Sequence, residues 1–194
     1  MRIVLWVVTL LRVVLLPFFV VFGLRAQNAA AMGADTGSLR MIVVIVLLTI
    51  GLSDIVDGWI ARRFELATDF GAFMDAAADK LVQVTVVTFF TFSEGGAFGM
   101  LPLWFLILLV GRDLILGIGW AAIRARTDLR VVHRSHGRLG SVGVFVLVVW
   151  LAMGLPQVVV TPLLLATTLV IVRSTVGYSR DGLAQLPGRA ANGP

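Results

Sequence analysis

Six apolar stretches, each long enough to cross a lipid bilayer as a helix, dominate this chain. They cover about residues 3–24, 41–60, 71–92, 101–123, 139–155 and 158–176. Of the 194 residues 59% are hydrophobic and the mean hydropathy is +0.99, which is too apolar for a water-soluble domain. We therefore predict an all-α, polytopic membrane protein with about six transmembrane helices.

The first apolar stretch resembles a secretion signal only superficially. It is longer than the 7–15 residues typical of a signal core, and it contains Arg12. We therefore expect a retained helix rather than a cleaved leader. We also expect a single membrane domain over residues 1–178, followed by a flexible cytoplasmic tail over 179–194, where glycine, proline, alanine and charged residues mix without periodicity.

Arginines are distributed unevenly between the two ends of the predicted helices. Arg62 and Arg63 follow the second stretch, five arginines lie between residues 124 and 138, and Arg180 and Arg189 lie in the tail, whereas the opposite loops contain only Arg25 and Arg40. The positive-inside rule then makes the basic loops and both termini cytoplasmic. The net charge of +5 favours anionic membrane lipids as partners, and nucleic acid is not expected, because no soluble basic domain is present.

Four aspartates lie within otherwise apolar sequence between the second and third stretches. Asp54 and Asp57 are three residues apart, and Asp75 and Asp79 are four apart, so each pair shares one face of a helix. Charges at the centre of a bilayer cost about 2.5–3.5 kcal/mol each on insertion scales, so these carboxylates need cationic partners. Carboxylates are hard ligands that suit Mg²⁺ or Mn²⁺, which proteins hold together with substrate phosphates. The spacing predicts a metal site for a phosphate-bearing substrate.

The same residues complete the pattern D-x-x-D-G-x-x-A-R-x8-G-x-x-x-D-x-x-x-D, which resembles the signature of the CDP-alcohol phosphatidyltransferases. The resemblance implies a six-helix membrane enzyme that transfers a phosphatidyl group from CDP-diacylglycerol to an alcohol and releases CMP. It further implies two Mg²⁺ or Mn²⁺ ions held by Asp54, Asp57, Asp75 and Asp79, with Asp79 also acting as the general base. A role for Asp79 as metal ligand alone is the alternative, because a nearby cation weakens a carboxylate base.

The family resemblance also assigns a nucleotide-binding set. Its members here are Gly58, Ala61, Arg62, Thr68 and Gly71. Small residues admit the cytidine, and an arginine can donate two hydrogen bonds to phosphate oxygens. For Arg62 the alternative is ordinary anchoring at the membrane surface. Lys80 follows the last aspartate, and it either balances charge or contacts the acceptor phosphate.

Four further charged residues interrupt apolar stretches: Arg12, Arg112, Asp113 and Arg173. Charges in such positions suggest function, and the alternative is an internal ion pair. The segment from His133 to Ser141 resembles the family's G-K-x-x-T stretch, with Arg138 in place of the lysine. We predict that Arg112, Arg138 and Arg173 bind the acceptor.

Within the family, the chain looks most like the phosphatidylglycerophosphate synthases. The similar segments are T-L-L-R at 9–12, A-T-D-F-G-A-F-M-D-A-A-A-D-K at 67–80 and G-R-D at 111–113. This resemblance implies glycerol 3-phosphate as the acceptor. Ala76 departs from it, since that subgroup usually has proline there, so phosphatidylglycerol and inositol phosphate stay open as acceptors. The sequence leaves the oligomeric state open, with a homodimer as the candidate.

A small cation or proton transporter is the alternative from a different functional class. A transport pathway predicts acidic residues spread through the depth of the membrane. Here the acidic residues are concentrated in one motif with glycines and an arginine, so the sequence favours the enzyme.

Overall fold

A computed structural model describes residues 2–63, 69–94, 96–124 and 136–184, with side chains at 10–54, 56, 71, 74–94, 96–119 and 140–177. The described part contains six α-helices and no strand, which confirms the predicted all-α fold. The helices are α1 (Arg2–Ala31), α2 (Gly37–Arg63), α3 (Asp69–Thr91), α4 (Leu103–Arg124), α5 (His136–Ala152) and α6 (Gln157–Ala184).

Within the described residues, three helical segments are long and apolar enough to cross a membrane. They are Leu10–Ala31, Gly37–Asp54 and Gln157–Gly177, and Gly140–Ala152 is a shorter apolar segment. Large apolar side chains such as Leu10, Val14 and Phe18 are exposed on α1, as expected of a helix that faces lipid. The chain is therefore an integral membrane protein. A membrane-spanning role for the other three helices stays a prediction.

The helices differ from the predicted stretches mainly at their ends. α1 continues to Ala31 and α2 begins at Gly37, so only a short turn joins them. Gly33 supplies a positive φ of 71° in that turn, and the Asp35 carboxylate accepts a hydrogen bond of 3.0 Å from the Gly37 N–H at the start of α2. At the other end of the chain, α6 extends past the predicted domain end at residue 178 as far as Ala184.

The described chain divides into two compact units. The first unit comprises residues 1–102 and 148–157, where α1 packs against both α2 and α3. Its core contains an aromatic cluster of Phe19, Phe89, Phe90 and Phe98, with ring centroids 5.0–6.1 Å apart in edge-to-face or tilted arrangements. This cluster fixes α1 against α3.

The second unit comprises residues 103–147 and 158–194, which include α4, most of α5 and nearly all of α6. Small residues bring α5 and α6 together: a Cβ added at Gly140 would lie 3.2 Å from Ile171, and one added at Gly143 would lie 2.9 Å from the Thr167 hydroxyl. Such close approach is typical of helix pairs in membranes, where van der Waals packing rather than the hydrophobic effect drives association.

Candidate active site

Two of the four motif aspartates converge on one cation. Asp54 lies towards the end of α2 and Asp75 lies in the second turn of α3, and Arg12 of α1 reaches both of them. The Arg12 Nη1 atom is 3.0 Å from Asp54 Oδ1, and its Nη2 atom is 3.3 Å from Asp75 Oδ1. A planar guanidinium can bridge two carboxylates in this way because its N–H groups form a rigid fork. The motif carboxylates of two helices are thus held together by a third helix.

The cation and the carboxylates of this cluster differ in burial. Arg12 is 1% exposed, whereas the side chains of Asp54 and Asp75 are 54% and 45% exposed. An arginine so deeply buried needs anionic partners, because an unpaired buried charge is strongly unfavourable. The exposed sides of the two carboxylates are accessible to a further ligand.

Asp79 and Lys80 lie one turn beyond Asp75 on α3. The Asp79 side chain is exposed, and four-residue spacing places it on the same face of the helix as Asp75. The Lys80 ammonium donates a hydrogen bond of 3.1 Å to Gln83 Oε1. This contact is compatible with both of the roles predicted for Lys80.

The donor set around Arg12 fits a divalent metal ion in part. Asp54 and Asp75 present hard oxygen ligands to a common point that already accommodates a cation, and Mg²⁺ needs only one or two carboxylates in addition to water and phosphate oxygens. Asp57 has its side chain outside the described residues. Among the side chains that are described, no three acidic or histidine residues are grouped closely enough to hold a metal.

Most of the predicted nucleotide-binding set lies outside the described side chains. Gly58, Ala61 and Arg62 belong to the last turns of α2, where only the backbone is described, and Thr68 lies in the undescribed segment that follows. Gly71 is half-buried in the first turn of α3, one turn before Asp75. The structure therefore leaves the nucleotide-binding assignment as a prediction.

The predicted acceptor arginines belong to the second unit. Arg112 of α4 donates a hydrogen bond of 3.2 Å from Nε to the Thr175 hydroxyl of α6, and its Nη1 atom lies 3.5 Å from Asp113 Oδ1. The Thr175 hydroxyl in turn donates to the Ile171 carbonyl at 2.8 Å. Arg173 is exposed on α6, and the Arg138 side chain lies outside the described residues.

Arg12 is the residue whose role the sequence did not specify. It was one of four charged residues in apolar stretches, with function and an internal ion pair as the alternatives. The structure shows that Arg12 forms an ion pair and that its partners are motif aspartates. The sequence signals for Arg12 are its position inside an apolar stretch and its place in the family-like segment T-L-L-R at 9–12, and neither signal names the partners.

An apolar groove runs between α1 and α3 next to this cluster. Its volume is about 420 Å³. Val13, which follows Arg12, and Leu81, which follows Lys80, both line it, together with Leu16, Pro17, Val20, Val21 and Thr85. The groove therefore begins beside the residues of the candidate site and continues along the apolar part of the two helices.

Comparison with known proteins identifies one family. The model of the CDP-alcohol phosphatidyltransferase family matches residues 6–172, which include every described residue of the candidate site except Arg173 and Thr175. The match covers most of the chain, including the region from Arg12 to Asp79.

Several curated relatives are similar over part of their length. The CDP-diacylglycerol–glycerol-3-phosphate 3-phosphatidyltransferase of Pseudomonas fluorescens is 30% identical over 122 residues, covering 62% of this chain and 56% of that protein. The Bacillus subtilis protein of the same name is 28% identical over 135 residues, covering 68% and 62%. A Mycobacterium bovis protein named as a candidate cardiolipin synthase is 35% identical over 108 residues, covering 56% and 44%. The chain thus spans about half the length of the relatives it matches.

Proposed function

Since the chain belongs to the CDP-alcohol phosphatidyltransferase family, we propose that it transfers a phosphatidyl group from CDP-diacylglycerol to an alcohol and releases CMP. The observation that carries this proposal is the convergence of Asp54 and Asp75 on one cation, because both aspartates belong to the family motif. Glycerol 3-phosphate is the proposed acceptor, since relatives from Pseudomonas fluorescens and Bacillus subtilis are named for it.

The proposed site uses Asp54, Asp57, Asp75 and Asp79 as ligands for two Mg²⁺ or Mn²⁺ ions. When bound, such ions would offset the carboxylate charge, polarise the diphosphate of the donor and stabilise the charge on departing CMP. The support is the hard oxygen donor set and the exposed sides of Asp54 and Asp75. Gly58, Ala61, Arg62, Thr68 and Gly71 are proposed to bind the cytidine nucleotide.

Asp79 is proposed to accept the proton of the acceptor hydroxyl. The hydroxyl oxygen then forms a bond to the phosphorus that carries the diacylglycerol, and the bond from that phosphorus to the CMP oxygen breaks. Asp79 suits this role because it is exposed one turn beyond Asp75, where a bound acceptor can reach it. The alternative is that Asp79 is a metal ligand alone, and mutation of Asp79 distinguishes the two roles.

Arg112, Arg138 and Arg173 are proposed to bind the phosphate of the acceptor. Arg112 is the best supported of the three, because Thr175 and Asp113 hold its guanidinium while its side chain stays 13% exposed. The active site is proposed to face the cytoplasm, because Arg62 and Arg63 lie in the same predicted loop region as the motif and the positive-inside rule makes that side cytoplasmic. The homodimer stays a prediction.

The apolar groove beside Arg12 is the proposed place for one acyl chain of the donor. The donor carries its diphosphate and its hydrocarbon chains in one molecule. The site that binds its phosphates and the groove that binds an acyl chain should therefore lie next to each other. The groove meets this requirement, since Val13 and Leu81 follow Arg12 and Lys80 directly.

A second acceptor is favoured by one observation. The Mycobacterium bovis relative, which is 35% identical over 108 residues, is named as a candidate cardiolipin synthase. Cardiolipin can be made from CDP-diacylglycerol with phosphatidylglycerol as the acceptor, so phosphatidylglycerol is the second candidate. Transport of cations or protons has no such support in the comparisons.

The decisive experiment supplies purified protein with CDP-diacylglycerol, Mg²⁺ or Mn²⁺, and one acceptor at a time. We expect CMP release with glycerol 3-phosphate, and mass spectrometry should detect phosphatidylglycerophosphate. Greater turnover with phosphatidylglycerol would replace the proposed acceptor, and greater turnover with inositol phosphate would do the same. No CMP release with any acceptor would refute the proposed activity.

A further inference from the structure

Arg12 stands out among the buried side chains of the described residues. It is the only charged residue in that buried set, and its guanidinium contacts carboxylates from two other helices. The rest of the buried polar set consists of threonines and serines. A fixed positive charge among predicted metal ligands requires an explanation, because it should oppose the binding of a metal cation.

The guanidinium and a metal ion would use the same two carboxylates. Arg12 lies 3.0 Å from Asp54 Oδ1 and 3.3 Å from Asp75 Oδ1. Mg²⁺ binds oxygen at about 2.0–2.1 Å with near-octahedral geometry, so its ligands must point their lone pairs at the ion. A metal ion on either carboxylate would lie close to the guanidinium, and the two positive charges would repel each other. Pairing with Arg12 and binding of a metal are therefore in competition.

The ion pair also stabilises the metal-free protein. Without a cation, the carboxylates of α2 and α3 that contact Arg12 would repel each other. Arg12 supplies a positive charge from the protein itself and so holds the three helices together before any metal arrives.

We propose that Arg12 is a tethered counter-cation of the carboxylate site, which neutralises Asp54 and Asp75 in the metal-free protein and is displaced from them when a divalent cation binds. This inference rests on the proposed metal-dependent function. Its consequence is that Arg12 weakens the metal affinity while stabilising the metal-free fold. A purely orienting arginine would do the opposite, since its removal would disorder the carboxylates and weaken metal binding.

The test measures Mn²⁺ binding to the detergent-purified full chain by titration calorimetry and electron paramagnetic resonance. Arg12→Gln removes the charge and keeps a hydrogen-bonding side chain. We expect it to bind Mn²⁺ about tenfold more tightly than the wild type, because no internal cation must be displaced. Its thermal unfolding midpoint without metal should fall, and Mn²⁺ should raise that midpoint by more than in the wild type.

Arg25→Gln is the matched control. Arg25 lies on the same helix and stacks over the Phe22 ring, 5.7 Å from its centroid. It is thirteen residues from Arg12, or about 20 Å along the helix. The wild-type Mn²⁺ affinity should be retained in this variant, which separates the loss of Arg12 from a general loss of positive charge.

The possible results separate this inference from the function on which it rests. Unchanged or weaker Mn²⁺ binding by Arg12→Gln would overturn the counter-cation role and leave the metal site standing. Absence of Mn²⁺ binding in the wild type would overturn the proposed metal dependence, and this inference with it.

A measurement on the wild type covers the case in which Arg12→Gln does not fold. Saturating Mg²⁺ should shift the Arg12 side-chain N–H resonance in protein labelled with ¹⁵N-arginine, with Arg12→Lys used for assignment. A resonance that stays unchanged at saturation would mean that Arg12 keeps its partners, and the inference would be wrong.

Discussion

The two units each contain a buried or half-buried arginine, but the number of described carboxylates beside the guanidinium differs. In the first unit, Arg12 bridges Asp54 and Asp75, which are carboxylates on two other helices. In the second, Arg112 donates to the neutral Thr175 hydroxyl at 3.2 Å, and among the described carboxylates its ion-pair partner is its neighbour Asp113, at a longer distance of 3.5 Å. A guanidinium between two carboxylates is neutralised, whereas one held by a hydroxyl and a single, more distant carboxylate keeps more of its charge for a ligand.

From this difference we infer that the two units bind different ligands. The carboxylates of the first unit suit a cation and the donor diphosphate, and the arginines of the second suit an anionic acceptor. Mutations in the first unit should then affect turnover and metal dependence, and those in the second should affect the KM for the acceptor. The four predictions that follow test this inference, from the largest expected effect to the smallest.

Asp79→Asn should reduce turnover by about 10²–10⁴-fold, the range that general bases contribute, while CDP-diacylglycerol still binds. The measurements are CMP release and equilibrium binding of the CDP-lipid. Asp35→Asn is the control, because it makes the same change at an exposed residue that caps α2. If donor binding is lost in step with turnover, Asp79 is mainly a metal ligand.

Asp54→Asn, Asp57→Asn and Asp75→Asn should each lower turnover by more than about tenfold, because each removes a charged ligand from a hard-metal site. Rates of CMP release are compared across a Mg²⁺ titration, again with Asp35→Asn as the control. Near-normal rates in two of these variants at saturating Mg²⁺ would contradict the site of two metal ions. Such a result would also remove the contrast between the units.

Arg112→Ala and Arg138→Ala should raise the KM for glycerol 3-phosphate about tenfold, since hydrogen bonds to charged groups contribute about 1.5–3 kcal/mol. The KM for CDP-diacylglycerol should change far less. Arg25→Ala is the control, because it removes an exposed arginine from the first unit. A normal acceptor KM in both variants would refute acceptor binding by the second unit, and so would a clear preference for phosphatidylglycerol.

The sequence predicted the elements of this structure better than their contacts. All six apolar stretches became helices, because apolar composition and length are properties of single segments. The ends of the helices were less certain: α2 begins at Gly37 rather than near residue 41, since the Asp35 cap determines its start. Helical spacing correctly places Asp75 and Asp79 on one face. Helical spacing does not indicate which other helix packs against that face. The pairing of Arg12 with Asp54 and Asp75 could therefore not be predicted from the sequence and is known from the structure.

Thr175→Val has the smallest expected effect of the four predictions and tests whether the Thr175 hydroxyl positions Arg112. The substitution keeps the shape of the side chain but removes the acceptor of the 3.2 Å hydrogen bond from Arg112 Nε. A hydrogen bond to a charged group contributes about 1.5–3 kcal/mol, but Thr175 acts on the acceptor only through the position of Arg112. The KM for glycerol 3-phosphate should therefore rise only about threefold, with the donor KM unchanged. The matched control is Thr49→Val, whose exposed hydroxyl donates only to the Ile45 carbonyl of its own helix. Thr175 is a positioning residue only if its effect disappears in the Arg112→Ala background, because the two changes then share one mechanism. Additive effects in the double variant would separate Thr175 from Arg112 and leave the guanidinium held by Asp113.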